Sequence, residues 1–548
     1  MKKILYHGKF QVLLALIIAS ILIITSCSSA APAKPAVAPA VDAGPKYGGT
    51  LRVAYNMDIN TLDSIMSTSI IDRALGYLYG DTLVRWSGKN DEAPKLVPHL
   101  AEKWEIAPDG MSYTFYLQKG VKFQNLPPVN GRECTAADFK YSLERIKDPK
   151  TKSPMAPYMA SIASVEAPDK YTLKLVMKTP DPAMLTSLAG PNTSVLAREA
   201  IEQEGGAGNP KNIIGTGPFI IDKYTKGSGI TFKRNPDYWI KGKPYLDSVE
   251  CIYMPDPSAR LAAFRAGQLD RVIEGKTSAD LIKNSVPGAN LVPGIALLGS
   301  GLVFNLGMKD KPWANVKVRQ ALQYAIDYDG LIQAVLDGAG ARTDFLHPTA
   351  FADYGARPVA ELPKKDLAKA KALLAEAGYP NGFKAAMVQH TTRMDAWGGA
   401  VEPLAAMLKE VGVDITIVPV GQADYVAKIR SGDFELMTSV VLATQPELDS
   451  NLSPMYKTKG AYNRAQFSNA RVDELLALEA QNFTDTAQRQ KYAKEIMQIL
   501  AEQVPVIPLY YNYNTHITQP WVKGWDNAAD PPQTFSWYQL ANVWIDKK

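Results

Sequence analysis

The sequence predicts an α/β protein built from more than one lobe, and three observations favour this fold class. The chain has 548 residues, which is too long for a single hydrophobic core. Its first half contains short runs of alternating apolar and polar residues between turn residues, a pattern typical of antiparallel strands. Its second half repeats the order helix, glycine, strand, which is typical of an α/β lobe. Two such lobes would leave a cleft between them.

The N-terminus indicates export and lipid attachment. Three lysines precede an apolar run at residues 12–24, which is shorter than the roughly 20 residues of a membrane span and fits a secretory signal. Residues 24–27, Ile-Thr-Ser-Cys, resemble the bacterial lipobox, in which the signal is cut before a cysteine that carries the lipid. We therefore expect a signal peptide at residues 1–26 and a lipoprotein anchored at Cys27 to the outer face of a membrane, with or without a surrounding periplasm. The alternative is a cleaved signal followed by an incidental cysteine.

Composition places the rest of the chain among ordinary folded proteins. Residues 27–45 are rich in alanine and proline, which cannot pack a core and therefore predict an extended tether. The 522 residues that follow the signal carry a formal net charge of +2, which is too weak to indicate a nucleic-acid partner. The hydrophobic fraction of 46% and the charged fraction of 21% favour folded domains outside the membrane.

No catalytic motif stands out in the sequence. The patterns HExxH, GxSxG, GxxxxGK and GxGxxG are all absent. Cys134 and Cys251 have no CxxC partner, so a zinc site is not expected and two buried free thiols are favoured over a disulfide. The histidines after the signal are isolated, and carboxylate pairs such as Glu474 and Glu479 are interpreted as part of a solvated helix face. We therefore expect no enzyme, no cofactor and no metal site.

The first half of the chain predicts strands. Residues 51–55 form the first of them, and residues 113–117 and 171–177 alternate in the manner of half-buried strands. Residues 219–224 and 230–233 flank a Gly-Ser-Gly turn and predict a hairpin. We expect the strands beyond the first one to be mostly antiparallel.

The second half predicts helices that end at glycine and lead into strands. A helix at residues 367–377 begins after an aspartate, and a second helix at residues 401–411 precedes a strand at residues 413–418. Residues 265–270 and 430–435 share one local pattern, in which a helix ends at a glycine and a strand begins. This repeated pattern favours two similar α/β lobes, although a match of six residues could also arise by chance.

Eight segments spread along the chain match, in the same order, the sequence motifs of one known protein family. Ordered along the chain, they are residues 96–104, 113–123, 136–139, 215–219, 235–247, 304–305, 318–327 and 375–380. Together they resemble the extracytoplasmic solute-binding proteins of peptide-type ABC importers, the family that includes oligopeptide, dipeptide and nickel binders. The resemblance covers nearly all of the chain after residue 46.

The resemblance implies a bilobed periplasmic-binding-protein fold of type II, with an extra domain inserted in lobe one. By the order of the motifs, lobe one would comprise residues 46–85, 214–298 and 503–548, the inserted domain residues 86–213, and lobe two residues 299–502. It also implies a monomeric binding subunit that captures peptides, oligopeptides above all, and delivers them to ABC permease subunits with their ATPases. The alternatives are the same fold binding an oligosaccharide or another non-peptide solute, or acting as a ligand sensor.

The resemblance also indicates where a ligand would bind. In the family, peptide backbones pair with an extended stretch in each lobe, and the matching positions here are Thr68, Ser69 and Ile70, and Val440, Val441 and Leu442. Arg393, Trp397 and Gln445 are further candidates for polar and aromatic side chains that line the cleft.

One of these positions departs from the family pattern. Thr444 lies where peptide binders typically have an aspartate that pairs with the α-ammonium of the ligand. A hydroxyl cannot neutralise a buried ammonium. Either Asp449 or another acid substitutes for it, or the solute lacks a free amino terminus.

Overall fold

The computed structural model describes residues 44–67, 69–87, 95–346, 351–391, 398–440, 447–525 and 535–547. The predicted signal peptide, Cys27 and nearly all of the predicted tether lie outside these ranges.

Within the described ranges the chain forms nineteen strands. They are Thr50–Tyr55 (β1), Val84–Ser87 (β2), Lys95–Pro98 (β3), Ala101–Ile106 (β4), Ser112–Leu117 (β5), Ile162–Asp169 (β6), Thr172–Met177 (β7), Phe219–Thr225 (β8), Gly229–Arg234 (β9), Ser248–Tyr253 (β10), Arg271–Glu274 (β11), Asn290–Phe304 (β12), Gly340–Arg342 (β13), Phe383–His390 (β14), Val413–Val420 (β15), Leu436–Val440 (β16), Val506–Thr518 (β17), Val522–Lys523 (β18) and Trp544–Ile545 (β19).

The same ranges contain fourteen α-helices. They are Ile70–Tyr79 (α1), Ala136–Lys147 (α2), Met184–Leu188 (α3), Arg198–Ile201 (α4), Pro257–Arg265 (α5), Lys276–Ser285 (α6), Val316–Ala325 (α7), Tyr328–Leu336 (α8), Leu367–Glu376 (α9), Val401–Lys409 (α10), Gln422–Ser431 (α11), Asp449–Tyr456 (α12), Ala470–Gln481 (α13) and Thr486–Gln503 (α14).

The largest sheet runs through both halves of the molecule. Its strands follow the order β15-β14-β16-β12-β17-β11-β1-β10-β9-β8, and β13 attaches to β17. The predicted hairpin of β8 and β9 is antiparallel, but β1 pairs in parallel with both β10 and β11. The strands predicted to be mostly antiparallel are so, since β5 pairs antiparallel with β7 and β8 with β9. The parallel pairing of β1 arises because α5 crosses between β10 and β11 and returns the chain in the same direction. The predicted α/β class is confirmed.

The strands β12 and β17 connect the two ends of this sheet. They pair antiparallel along most of their length, with shifts of register at residues 295–299 and 300–301. Near one end of the pair β17 contacts β11, and near the other end β12 contacts β16. Register shifts of this kind bend a pair of strands locally, so the β12–β17 pair is bent near its middle.

The hydrophobic core divides on either side of these two strands. The buried hydrophobic residues of one cluster fall between Leu51 and Cys251 and between Val522 and Val543. A second takes residues from Leu302 to Tyr510, and a small third cluster surrounds Phe264. Each end of the large sheet therefore packs against its own core.

A separate antiparallel sheet of β4, β5, β7 and β6 lies within the residues predicted to form the inserted domain. The helix predicted to open at residues 136–139 begins at Ala136, after a capping box formed by Thr135 and Asp138. Arg132 links α2 to α4, because its guanidinium donates hydrogen bonds to Asp138 of α2 and to Glu199 of α4.

The local predictions for the second half are confirmed. Asp366 caps α9 by accepting a hydrogen bond from the backbone N–H of Lys369 at 2.9 Å. The repeated pattern at residues 265–270 and 430–435 is also present. Helix α5 ends before Gly267 (φ 69°) and is followed by β11, and helix α11 ends before Gly432 (φ 71°) and is followed by β16. Glycine suits this left-handed conformation because it has no Cβ.

The two cysteines of the folded chain are buried free thiols, as predicted. Burial raises the pKa of both Cys134 and Cys251. Because the thiolate is the reactive form, neither side chain is suited to redox or nucleophilic chemistry.

Candidate functional site

The predicted lobe-one stretch lies at the start of α1. Thr68 falls outside the described residues, Ser69 is the N-cap with extended backbone, and Ile70 is the first helical residue. The N–H of Ser69 donates to Ser67 Oγ at 2.9 Å, and the Ser67 hydroxyl donates to Asp72 at 2.6 Å. The Ser69 hydroxyl is buried and has no hydrogen-bond partner within the described residues. Its hydrogen-bonding capacity is therefore unused within those residues.

The predicted lobe-two stretch begins at the end of β16. Val440 is the last residue of that strand and pairs with Ser300 of β12. The remaining predicted positions fall outside the described residues and stay predictions: Arg393, Trp397, Val441, Leu442, Thr444 and Gln445.

Arg464 lies directly beside Val440. Its Nη1 donates to Ser439 Oγ and, at 3.2 Å, to the Val440 carbonyl, whereas its buried Nε has no partner in the described ranges. Burial lowers the pKa of the guanidinium, and the neighbouring groups that favour its charged form are the phenols of Tyr425 and Tyr462. Arg464 is thus a partly buried cation that no carboxylate of the described chain neutralises.

A small, mostly apolar cavity adjoins this arginine. It is lined by Val303, Val440, Met455, Tyr456, Tyr462, Arg464, Ala465 and Val506. It encloses about 10 Å³, which is room for about one water molecule.

A pair of tyrosines connects the region predicted to form lobe two, called lobe two below, with the predicted inserted domain. The hydroxyls of Tyr158 and Tyr462 lie 3.0 Å apart. Burial and the neighbouring Tyr462 raise the pKa of Tyr158, whereas the nearby Arg73 guanidinium lowers it. Arg73 belongs to α1, and its buried Nε also lacks a partner in the described part of the chain. Two arginines therefore approach the tyrosine pair, one from α1 and one from lobe two.

A cluster of carboxyl groups forms a second contact between the same regions. Asp181, from the predicted inserted domain, lies near Glu447 and Asp449 of lobe two. Arg489 donates hydrogen bonds to both Glu447 and Glu479. The prediction that Glu479 lies on a solvated face was wrong, because α13 directs this fully buried side chain toward Arg489 on α14. Burial, with Glu447 as a further cause, raises the pKa of Glu479 and raises that of Asp449 to about 7.

We predict that this cluster makes the folded chain less stable as the pH rises from about 5 to about 8. The Asp449 carboxyl holds its proton up to about pH 7 in the folded state but only to its ordinary pKa of 3.8 when unfolded. Its contribution is therefore complete below about pH 4 and is lost as the pH rises through about 7. Thermal melts should show a smaller fall in Tm for Asp449→Asn, which cannot titrate, than for the wild type. Asp433→Asn, at an exposed carboxylate of the same lobe, should keep the wild-type dependence, and equal dependence in all three proteins would contradict the prediction.

In the described ranges no three histidine, cysteine or acidic side chains converge to hold a metal ion. No helix there is both long and apolar enough to cross a bilayer.

The side chains that shape this cleft were not identified from the sequence. Tyr158, Tyr462, Arg73 and Arg464 are distant along the chain and carry no motif that links them. For Arg464 a weak signal exists, since it stands two residues after Tyr462 and between two helices, but the same pattern is common in loops.

Comparison with known proteins gives a family match. The model of a family described as bacterial extracellular solute-binding proteins, family 5, middle, matches residues 95–463. The heme-binding protein A of Haemophilus influenzae is 32% identical over 452 residues, covering 78% of this chain and 81% of that protein.

Two solved structures resemble the chain along most of its length. The binding protein DppA of Helicobacter pylori, in complex with the peptide STSA, superposes with a TM-score of 0.77 at 28% identity, covering 92% of this chain and 99% of that one. The binding protein AgaA of A. tumefaciens R10, in complex with agropinic acid, gives a TM-score of 0.75 at 28% identity, with coverage of 91% and 99%. These similarities support the predicted bilobed binding-protein fold.

Proposed function

Because the chain belongs to family 5 of the bacterial extracellular solute-binding proteins, we propose that it is the binding subunit of an ABC importer. It holds a small solute between two lobes and delivers that solute unchanged to the permease subunits, whose partner ATPases supply the energy. It acts as a monomer outside the cytoplasm and is held at the membrane by a lipid on Cys27.

The observation that carries this proposal is the pair of long strands between the two cores. The ladder of β12 and β17 joins one core to the other, and its register shifts at residues 295–299, near its middle. A bend there would rotate one lobe relative to the other about a hinge. The Tyr158–Tyr462 hydrogen bond is a contact that such a rotation would form on closure and break on opening.

Peptides are the first candidates for the solute. The two stretches predicted to contact the ligand begin at the N-cap of α1 and at the end of β16, and pairing with backbone suits many peptides because every peptide presents the same backbone pattern. The predicted contacts at Thr68, Ser69 and Ile70 and at Val440, Val441 and Leu442 would supply this pairing. The side chains of Arg393, Trp397 and Gln445 would line the remaining cleft.

A non-peptide solute is the second candidate, and two observations support it. The names of the similar proteins give heme, agropinic acid and a peptide as ligands. Thr444 stands where the resemblance expects a carboxylate for the ligand ammonium. An oligosaccharide binder or a ligand sensor would use the same fold.

Native mass spectrometry of protein purified without denaturation tests the proposal. We expect a mass increment from one co-purified small molecule per chain, and release of that molecule unchanged on unfolding. Thermal melts with peptide and sugar libraries should then show stabilisation by the matching class, since a ligand at 100 times its Kd adds about 2.7 kcal/mol. Chemical conversion of the released molecule by the protein would contradict the proposed role.

Thr444→Asp is expected to strengthen the binding of peptides with a free amino terminus. The new carboxylate would pair with the ligand ammonium, and a charge-assisted hydrogen bond contributes about 1.5–3 kcal/mol, or about 10-fold or more in Kd. Calorimetry measures the affinity of both proteins for a peptide and for its N-acetyl form. The substitution should not increase the affinity for the acetylated peptide, which has no ammonium group. Unchanged affinity for the free peptide would contradict the position assigned to Thr444.

Cys27→Ser is expected to release the protein from the membrane fraction. Without the thiol no lipid can be attached, and membrane binding would lose about 0.8 kcal/mol for each methylene that the acyl chains bury. Fractionation of cells that express the variant measures the shift from pellet to supernatant. Cys251→Ala, at a buried thiol, is the control and should stay in the pellet.

A further inference from the structure

We propose that Arg464 and Arg73 bind a carboxylate group of the solute, so that the protein selects acids over neutral molecules of the same shape. This inference rests on the proposed function and adds the chemical class of the solute.

The first step is the unsatisfied charge of Arg464. Its described partners are a hydroxyl and a backbone carbonyl, both neutral, and its buried Nε has none. A cation removed from water without a counter-ion is costly, and proteins normally place a carboxylate beside it. A carboxylate of the solute would supply the missing charge, and the planar guanidinium can hold it through two parallel hydrogen bonds.

The second step is the set of donors on α1. Arg73 follows Ser69 by four residues, so their side chains lie on the same face of the helix. The Ser69 Oγ and the Arg73 Nε are both buried without partners in the described chain. The first-turn amides of the helix add a positive end dipole. The neighbouring carboxyl of Asp72 is already occupied by hydrogen bonds from Ser67 and Asn60.

The third step is the position of the two arginines. The Arg464 guanidinium lies 6.0 Å from the ring centroid of Tyr462, whose hydroxyl contacts Tyr158, and Arg73 lies near Tyr158. The two cations thus flank one contact between the lobes. A carboxylate of the solute bound beside this contact would supply the negative charge that the described residues do not, whereas a neutral sugar would supply none.

The fourth step concerns the nearby carboxyl cluster, which would attract a cation instead. Arg489 already lies between Glu447 and Glu479, and Asp449 accepts a hydrogen bond from Ser453. Each of these carboxyls has a hydrogen-bond partner, whereas the buried Nε atoms of Arg73 and Arg464 have none within the described residues. Glu479 Oε2 is also without a hydrogen-bond partner there, but Arg489 supplies the counter-charge of this carboxylate, whereas no carboxylate within the described residues does so for Arg464. The missing group at Arg464 is therefore an acid.

Calorimetry with N-acetyl-trialanine and its C-terminal amide tests the inference, because the two probes differ only in the carboxylate. The full chain should bind the acid at least about 10-fold more tightly than the amide, as expected for one charged hydrogen-bonded pair. Arg464→Gln should abolish this preference, and Arg464→Lys should restore part of it. Arg471→Gln, at an exposed arginine of lobe two, is the control and should keep the wild-type preference.

Each outcome separates this inference from the proposed function. Equal binding of acid and amide by the wild type, or an unchanged preference in Arg464→Gln, would overturn the inference. Binding of the neutral sugar maltotriose with neither peptide probe would also overturn it but leave the importer role intact. If no probe binds and native mass spectrometry finds no co-purified molecule, the proposed function fails too. Should Arg464→Gln not fold, Arg73→Gln on the opposite side must lose the preference.

Discussion

Replacing Gly217 with alanine is expected to destabilise the folded protein by about 4 kcal/mol or more, at the upper end of single-substitution effects. An alanine Cβ at this position would lie 2.5 Å from the carbonyl carbon of Tyr79 and 2.6 Å from both the Gly80 nitrogen and the Leu78 oxygen. All three atoms are backbone atoms at the end of α1, so no side chain can rotate away to make room.

The hydrogen bonds around Gly217 prevent the backbone from moving. The Gly217 N–H donates to the Tyr79 carbonyl at 3.1 Å, and the Gln124 side chain donates to the carbonyls of Tyr79 and Gly217 at 3.3 and 3.4 Å. A shift that accommodates the methyl group would break these buried bonds. Because α1 also carries Ser69 and Arg73 at its start, we expect solute binding to weaken together with stability.

Thermal and urea unfolding measure this effect. Gly208→Ala is the matched control, since an added Cβ there meets no atom within 4 Å and the backbone is not left-handed. It should melt close to the wild type while Gly217→Ala melts far lower or fails to fold. A wild-type Tm for Gly217→Ala would contradict the close approach of the two backbones.

Replacing Arg319 with methionine is expected to cost about 3–5 kcal/mol in lobe two, the range for removing one partner of a buried charged network. The side chain is 5% exposed and donates only to backbone carbonyls. Its Nε and Nη2 reach the Gln503 and Val504 carbonyls at the end of α14 at 2.6–3.0 Å, and its Nη1 reaches the Trp313 carbonyl at 2.6 Å. Methionine fills similar space but leaves these carbonyls without donors.

Hydrogen exchange locates this effect better than a melting curve, because two lobes can unfold separately. In Arg319→Met the amides of α7 and α14 should exchange faster, while those of the β4–β7 sheet should not change. Lys317→Met, at an exposed side chain of the same helix, should leave both regions as in the wild type. Uniform acceleration, or none, would contradict the local role of Arg319.

Much of the fold could be predicted because its signals are local. The cap at Asp366 and the glycines Gly267 and Gly432 depend on residues a few positions away, and the structure confirms each. Gly217 lies in one of the segments that carry the family resemblance, but the sequence could not identify α1 as its neighbour. The parallel pairing of β1 was missed for the same reason, since β1 and β10 are about 200 residues apart.

The candidate site was harder to predict, because its groups meet only after folding. Helical periodicity shows which residues share a face with Glu479, but not that Arg489 packs against that face. Likewise, Arg73 and Arg464 resemble ordinary surface arginines in the sequence. The packed structure shows instead that each has a buried Nε without a hydrogen-bond partner among the described residues.

Small-angle X-ray scattering on one preparation, with and without a solute whose occupancy native mass spectrometry confirms, tests closure of the lobes most directly. We expect a smaller radius of gyration and a changed profile when the solute is bound, because rotation about the β12 and β17 ladder brings the two cores together. Superimposable profiles at full occupancy would contradict capture by closing lobes.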